Sequence, residues 1–125
     1  GGMTERLGLA MMQLIGRDFE AGRHHWTSNH LATALDVPGV ALAPILTSLE
    51  SAGLIVATER EYWMPARSMD TITLVEIMVA IRGTGMLRPI PGSTATSAAD
   101  ALMTELDAAM REKLGARTLA DLAGS

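Results

Sequence analysis

A chain of 125 residues without a single cysteine can bury one hydrophobic core, but cannot form a disulfide framework, a thiolate zinc site, an iron–sulfur cluster on its usual ligands or a thiol nucleophile. A net charge of −4 and a pI near 5.2 argue against a duplex-DNA ligand, because phosphate neutralisation normally rests on a basic face. Charged residues make up 19% of the chain against about 25% in a typical globular domain, a shortage that predicts a surface partly covered by another chain.

Gly1 and Gly2, ahead of Met3, read as the remnant of a tag. Leu7, Met11, Leu14 and Ile15 fall on one face of a helix, with Phe19 continuing the stripe, and predict a first helix from about Thr4 to Ala21 that stops at Gly22. Arg23, His24, His25 and Trp26 form a short connection. Thr27 or Ser28 then caps a second helix holding Leu31, Ala32 and Leu35. Val37-Pro38-Gly39 breaks the chain into a turn. Leu42, Ile45, Leu46 and Leu49 predict a third helix, with Pro44 tolerated in its first turn and Gly53 at its end.

Leu54 to Thr58 and Tyr62 to Met64 flank Glu59-Arg60-Glu61, which reads as a short hairpin. Asp70 or Thr71 caps a fourth helix marked by Leu74, Ile77, Met78 and Ile81. Residues 83–96, with three glycines and two prolines, read as a loop. A fifth helix runs from about Ser97 to Leu114, with Ala99, Leu102, Met103, Leu106 and Met110 in register. Thr118 to Leu122 adds a last helical turn, so 97–122 forms a C-terminal helical extension. The order describes one domain over 1–125, mostly α with a small β-hairpin: a winged helix-turn-helix plus a long C-terminal helix. No run approaches the roughly 20 apolar residues of a membrane span, and the start has no signal-peptide pattern.

Asn29-His30-Leu31-Ala32-Thr33-Ala34-Leu35, followed by Leu46 to Leu49 and Ser51-Ala52-Gly53-Leu54-Ile55, resembles the helix-turn-helix core of bacterial winged-helix regulators. Tyr62-Trp63-Met64-Pro65-Ala66-Arg67 and Ile72-Thr73-Leu74-Val75-Glu76-Ile77 are similar to the wing and following helix of the iron–sulfur-cluster-sensing repressor family, and Thr118-Leu119-Ala120-Asp121-Leu122 matches its ending. The resemblance covers nearly the whole chain. Two departures stand out. Cluster-carrying members place cysteines between the fourth and fifth helices, and Gly83 to Thr96 has none. The third helix, Val40 to Ala52, has no Lys, Arg, Asn or Gln; its polar content is Thr47, Ser48, Glu50 and Ser51.

A winged helix so altered also resembles the C-terminal cytosolic domain of ribonuclease-BN-like (BrkB-like) inner-membrane proteins, whose extension opens on a segment like Leu7-Gly8-Leu9-Ala10 through Phe19-Glu20-Ala21-Gly22. That resemblance implies an excised piece of a longer protein, on the cytoplasmic side and held at the membrane by the missing part. It makes the chain a non-catalytic interaction or dimerisation domain. The alternatives are a cluster-free DNA-binding transcriptional regulator and a fragment of a tRNA-processing ribonuclease, for which no acid–base pair is visible.

Three histidines, His24, His25 and His30, lie near Asp18 and Glu20. Their spacing does not converge on one ion in the manner of a metal phosphodiesterase, and a solvated inter-helix loop explains them better. Ser28, Thr47, Ser48 and the serines from Ser93 to Ser97 have no partnered base and read as capping and loop residues. Gly83-Thr84-Gly85 is too short for a phosphate loop. No cofactor or small-molecule substrate is implied. Arg60 in the candidate wing reaches toward a minor groove, but Glu59 and Glu61 offset its field. Arg, Lys, Asn and Gln make the commonest base contacts, and their absence from the third helix argues against sequence-specific DNA binding. The apolar face of the fifth helix, Ala99, Leu102, Met103, Leu106 and Met110, is the candidate dimer or partner face, and a homodimer is expected.

Overall fold

The computed structural model describes residues 2–84 and 97–125. The first helix, α1 (Gly2–Glu20), buries Leu7, Met11, Met12 and Ile15 and touches the third, fourth and last helices and the second strand. It is the axle of the domain. Phe19, placed on the buried stripe by its spacing, is only partly covered; the position that continues inward is Asp18, 4% exposed. The helix ends as its composition predicts, with Gly22 at φ +80°, a conformation a side chain would strain.

Gly8 lets α1 lie close against its neighbours. A Cβ built there would sit 2.4 Å from Cδ1 and 2.7 Å from Cγ1 of the buried Ile81, and 3.4 Å from Cγ2 of Ile45. Gly8→Val adds three carbons to that contact and should destabilise the fold by about 1–3 kcal/mol, the usual range for overpacking. Urea unfolding followed by circular dichroism measures it.

Helices α2 (Ser28–Leu35) and α3 (Gly39–Ser51) follow. The hairpin is β1 (Ile55–Ala57) against β2 (Trp63–Pro65), antiparallel, with Ile55 opposite Pro65 and Ala57 opposite Trp63. Helix α4 (Leu74–Arg82) is capped by neither Asp70 nor Thr71. Residues Met69–Thr71 form a 3-10 turn of their own, and Thr73 is the cap, its Oγ1 accepting the Glu76 amide at 3.1 Å. Thr73 is the hydroxyl directly before the helical run, so it alone meets the orphan amides of the first turn.

Helix α5 (Ser97–Leu114) leads to α6 (Leu119–Ala123). The C-terminal turn is built into the core. The Leu119 amide donates to the Ile72 carbonyl at 2.8 Å, the Leu74 amide to the Arg117 carbonyl at 2.9 Å, and Leu119 is fully buried. The loop predicted for 83–96 lies outside the described residues beyond Thr84, as do Ser93 and Gly85.

Candidate nucleic-acid interface

Thr27 caps α2, its Oγ1 accepting the His30 amide at 3.1 Å. The helix ends at Asp36, whose φ of +55° reverses the chain; aspartate is one of the few side chains that visits this region routinely. Pro38, extended at ψ 145°, then launches α3. This helix turns Leu42, Ile45, Leu46 and Leu49 into the core and leaves Val40, Ala41, Ala43, Pro44, Thr47 and Glu50 exposed. Pro44 lies in the second turn, deeper than its sequence position suggested, because the helix begins at Gly39. It removes the amide that would bond the Val40 carbonyl, and the buried leucines and isoleucine on either side hold the helix together.

The wing is a tight hairpin loop. The Glu61 amide donates to the Thr58 carbonyl at 2.8 Å and the Thr58 amide to the Tyr62 carbonyl at 2.9 Å. Glu59 and Arg60 form the exposed corner, and Glu61 follows at φ +64°. A turn followed by a left-handed residue is the common three-residue hairpin, which favours glycine at that last position. Glu61→Gly should therefore stabilise the domain by about 1 kcal/mol, visible as a raised thermal midpoint, while removing one anion beside Arg60.

Trp63 fixes the wing to α2. Its amide donates to the Trp26 carbonyl at 2.8 Å and its indole Nε1 to Ser28 Oγ at 3.0 Å. Trp26 is held in turn from α1: its Nε1 donates to Asp18 Oδ2 at 2.8 Å. Arg23 Nη2 donates to Asp18 Oδ1 at 3.0 Å, and His25 Nε2 lies 2.8 Å from Oδ2. An ionised carboxylate only accepts, so that nitrogen carries the proton. Burial opposes ionisation of Asp18, but the hydrogen bonds from His25, Arg23 and Trp26, with the Arg23 charge, outweigh it and hold the carboxyl well below the usual carboxylate range. One buried carboxylate thus sets the path of the α1–α2 connection, the start of α2 and the base of the wing.

The histidines do not form a common donor set. His25 is taken by Asp18, His24 stacks on Phe19 with ring centroids 5.1 Å apart, and His30 Nδ1 bonds the His25 carbonyl at 2.9 Å. Among the described residues no group of three or more His, Cys, Asp or Glu side chains is placed to hold a metal. At the other end of α3, Arg67 donates to the Thr71 carbonyl at 3.0 Å and to the Glu76 carboxylate, and that arginine holds Glu76 below the usual carboxylate range.

Helix α5 turns its apolar side outward. Leu102, Met103 and Leu106 are 54%, 49% and 47% exposed, and Ala99 is exposed beside them. Met110 differs from the other four: it is half-buried and lines an apolar recess with Leu9, Leu74, Met78, Leu114 and Leu122. Arg82 ties the helix to α4 through Asp107 at 3.1 Å.

Residues 5–125 match the model of the Rrf2 family, described as iron-dependent transcriptional regulators. No curated protein matches the chain. Several solved structures share its fold, among them these three. CymR of B. subtilis, the global cysteine regulator, is 21% identical with a TM-score of 0.70, over 98% of this chain and 94% of that one. The oxidized form of Staphylococcus aureus CymR is 20% identical at 0.71, with the same coverage. IscR of T. potens is 18% identical at 0.67, over 98% and 84%.

The family match overturns the reading of the chain as a BrkB-like membrane-protein domain, and with it the ribonuclease alternative, since the family consists of regulators and not enzymes. No helix among the described residues is long and apolar enough to cross a membrane. The argument against sequence-specific DNA binding falls as well, because a missing set of hydrogen-bonding readers limits how a recognition helix reads DNA and does not remove it from a regulator fold. Among the described residues the iron in the family's description finds no matching donor set: the chain has no cysteine, and the histidines are turned to different partners. Winged-helix architecture and a family match across nearly the full length agree: this chain belongs to the Rrf2 family of transcriptional regulators.

Proposed function

We propose that this protein is a cluster-free transcriptional regulator that binds duplex DNA through α2, α3 and the wing, as a pair of chains joined along α5. The family match over residues 5–125 carries the reading. It is supported by an α3 whose outer face is left free by the core and by a wing corner, Glu59-Arg60-Glu61, standing clear of it. Ser28, Asn29 and His30 at the exposed start of α2 supply phosphate contacts. Residues 1–125 act as one domain, with the C-terminal helical extension 97–122 as the pairing arm. Ala99, Leu102, Met103 and Leu106 form the centre of the pairing face and Met110 its edge.

With no cation on α3 itself and the chain acidic overall, binding should depend less on salt than in a strongly basic regulator. A slope of log affinity against log salt of about −2 to −4 is expected, at roughly −0.9 per neutralised phosphate. Selection of duplexes from a randomised pool, followed by anisotropy titration, tests this. A consensus of two symmetry-related half-sites bound below micromolar is the expected outcome. Failure to enrich any duplex at low salt overturns the proposal.

A further inference from the structure

We propose that α3 selects thymine, by packing Val40, Ala43, Pro44 and Thr47 against the C5-methyl groups on the major-groove edge. This rests on the DNA-binding reading above and names what that helix reads. Val40 is 81% exposed on the first turn of α3, the end that recognition helices bring to the bases. A β-branched apolar side chain there neither fills the core nor favours the helix. Ala43, Pro44 and Thr47 lie three, four and seven residues on, which places them on the same face, and all are exposed.

Every base in the major groove presents hydrogen-bonding groups, but only thymine adds an apolar one. A face without amide or guanidinium groups makes no bidentate contact to guanine, whose N7 and O6 both require donors; the Thr47 hydroxyl can meet only one of them. The complementary base is thymine, approached through its methyl. The wing points the same way. Arg60 is the cation at its exposed corner, and arginine is drawn to the narrow, strongly negative minor groove of A·T-rich sequence. Major-groove and minor-groove readers therefore call for the same operator, rich in A·T pairs.

The test uses the full chain and the tightest duplex from the randomised pool. Thymines of the half-sites are replaced by deoxyuridine, which deletes the methyl and keeps the pairing. Affinity should fall about threefold to fivefold for each methyl in contact, the loss for one buried methyl group. Val40→Ala, whose fold circular dichroism should find unchanged, should bind thymine and uracil duplexes with more nearly equal affinity. Equal binding of both duplexes by the wild type, or a consensus of G·C pairs opposite α3, overturns the thymine readout and leaves the DNA-binding function standing. Absence of any bound duplex overturns both.

Discussion

Replacing Asp18 with alanine should cost about 3 kcal/mol of stability at pH 7, the low end for breaking a buried ionic cluster, out of a total of roughly 5–15. The low end applies because Arg23 and His25 are themselves 62% and 48% exposed and regain water when the carboxylate goes. Trp26 is only partly exposed, so its indole N–H recovers less. The pH dependence separates this from a packing loss. The folded pKa of Asp18 lies below its unfolded value, so its contribution is complete above the unfolded pKa of about 3.9 and drains away as pH falls toward the folded one. Urea unfolding between pH 7 and pH 2 should show the gap between wild type and Asp18→Ala closing below about pH 5. Glu76 is shifted the same way in both proteins and drops out of the difference. A gap that stays constant across that range means the carboxylate charge is not what stabilises the cluster. Because Asp18 positions Trp26, and through it the base of the wing, the variant should also lose DNA affinity by more than its unfolded fraction at the assay temperature accounts for.

The helices were legible because their apolar spacing maps directly onto burial. Leu42, Ile45, Leu46 and Leu49 form the inner face of α3, and Leu74, Ile77 and Ile81 that of α4. Asp18 was visible and misplaced. It sits seven residues after Met11 and three after Ile15, on the buried stripe, where a charge has to be explained by partners; those partners, Arg23, His25 and Trp26, follow within eight residues. Reading it with the nearby histidines as part of a solvated inter-helix loop brought together neighbouring residues but missed the buried ionic cluster, since arginine and indole donors were left out of account. The cap of α4 was missed by two or three residues because three hydroxyl or carboxyl side chains, Asp70, Thr71 and Thr73, precede the helix, and only backbone geometry tells them apart. Function was the hardest to read. Net charge averages over faces, and the absence of Lys, Arg, Asn and Gln from α3 was taken as absence of readout although it excludes only the commonest hydrogen-bonded base contacts.

Leu106→Glu should produce a folded monomer with weakened DNA binding. Spacing alone admits two outcomes for this substitution, unfolding if the α5 face serves its own core and dissociation if it serves a partner. The fold separates them. Leu106 is 47% exposed in the single chain and flanked by Leu102 and Met103, which are equally uncovered; among the described residues of α5 none is fully buried. A glutamate there meets water in the monomer, so circular dichroism should stay that of the wild type and the thermal midpoint should fall only by what the lost pairing contributes. In a twofold pair each substitution occurs twice, and every carboxylate must lose its water without gaining a partner. Even a combined cost of about 3 kcal/mol raises the dimer dissociation constant roughly a hundredfold. Sedimentation of wild type and variant over the same concentration range measures that shift directly. Since a dimer engages two half-sites and a monomer one, affinity for the two-site duplex should fall with it, while binding to a single half-site is unchanged. A wild type that sediments as a monomer at hundreds of micromolar, or a variant that unfolds, would show that this face does something other than join two chains.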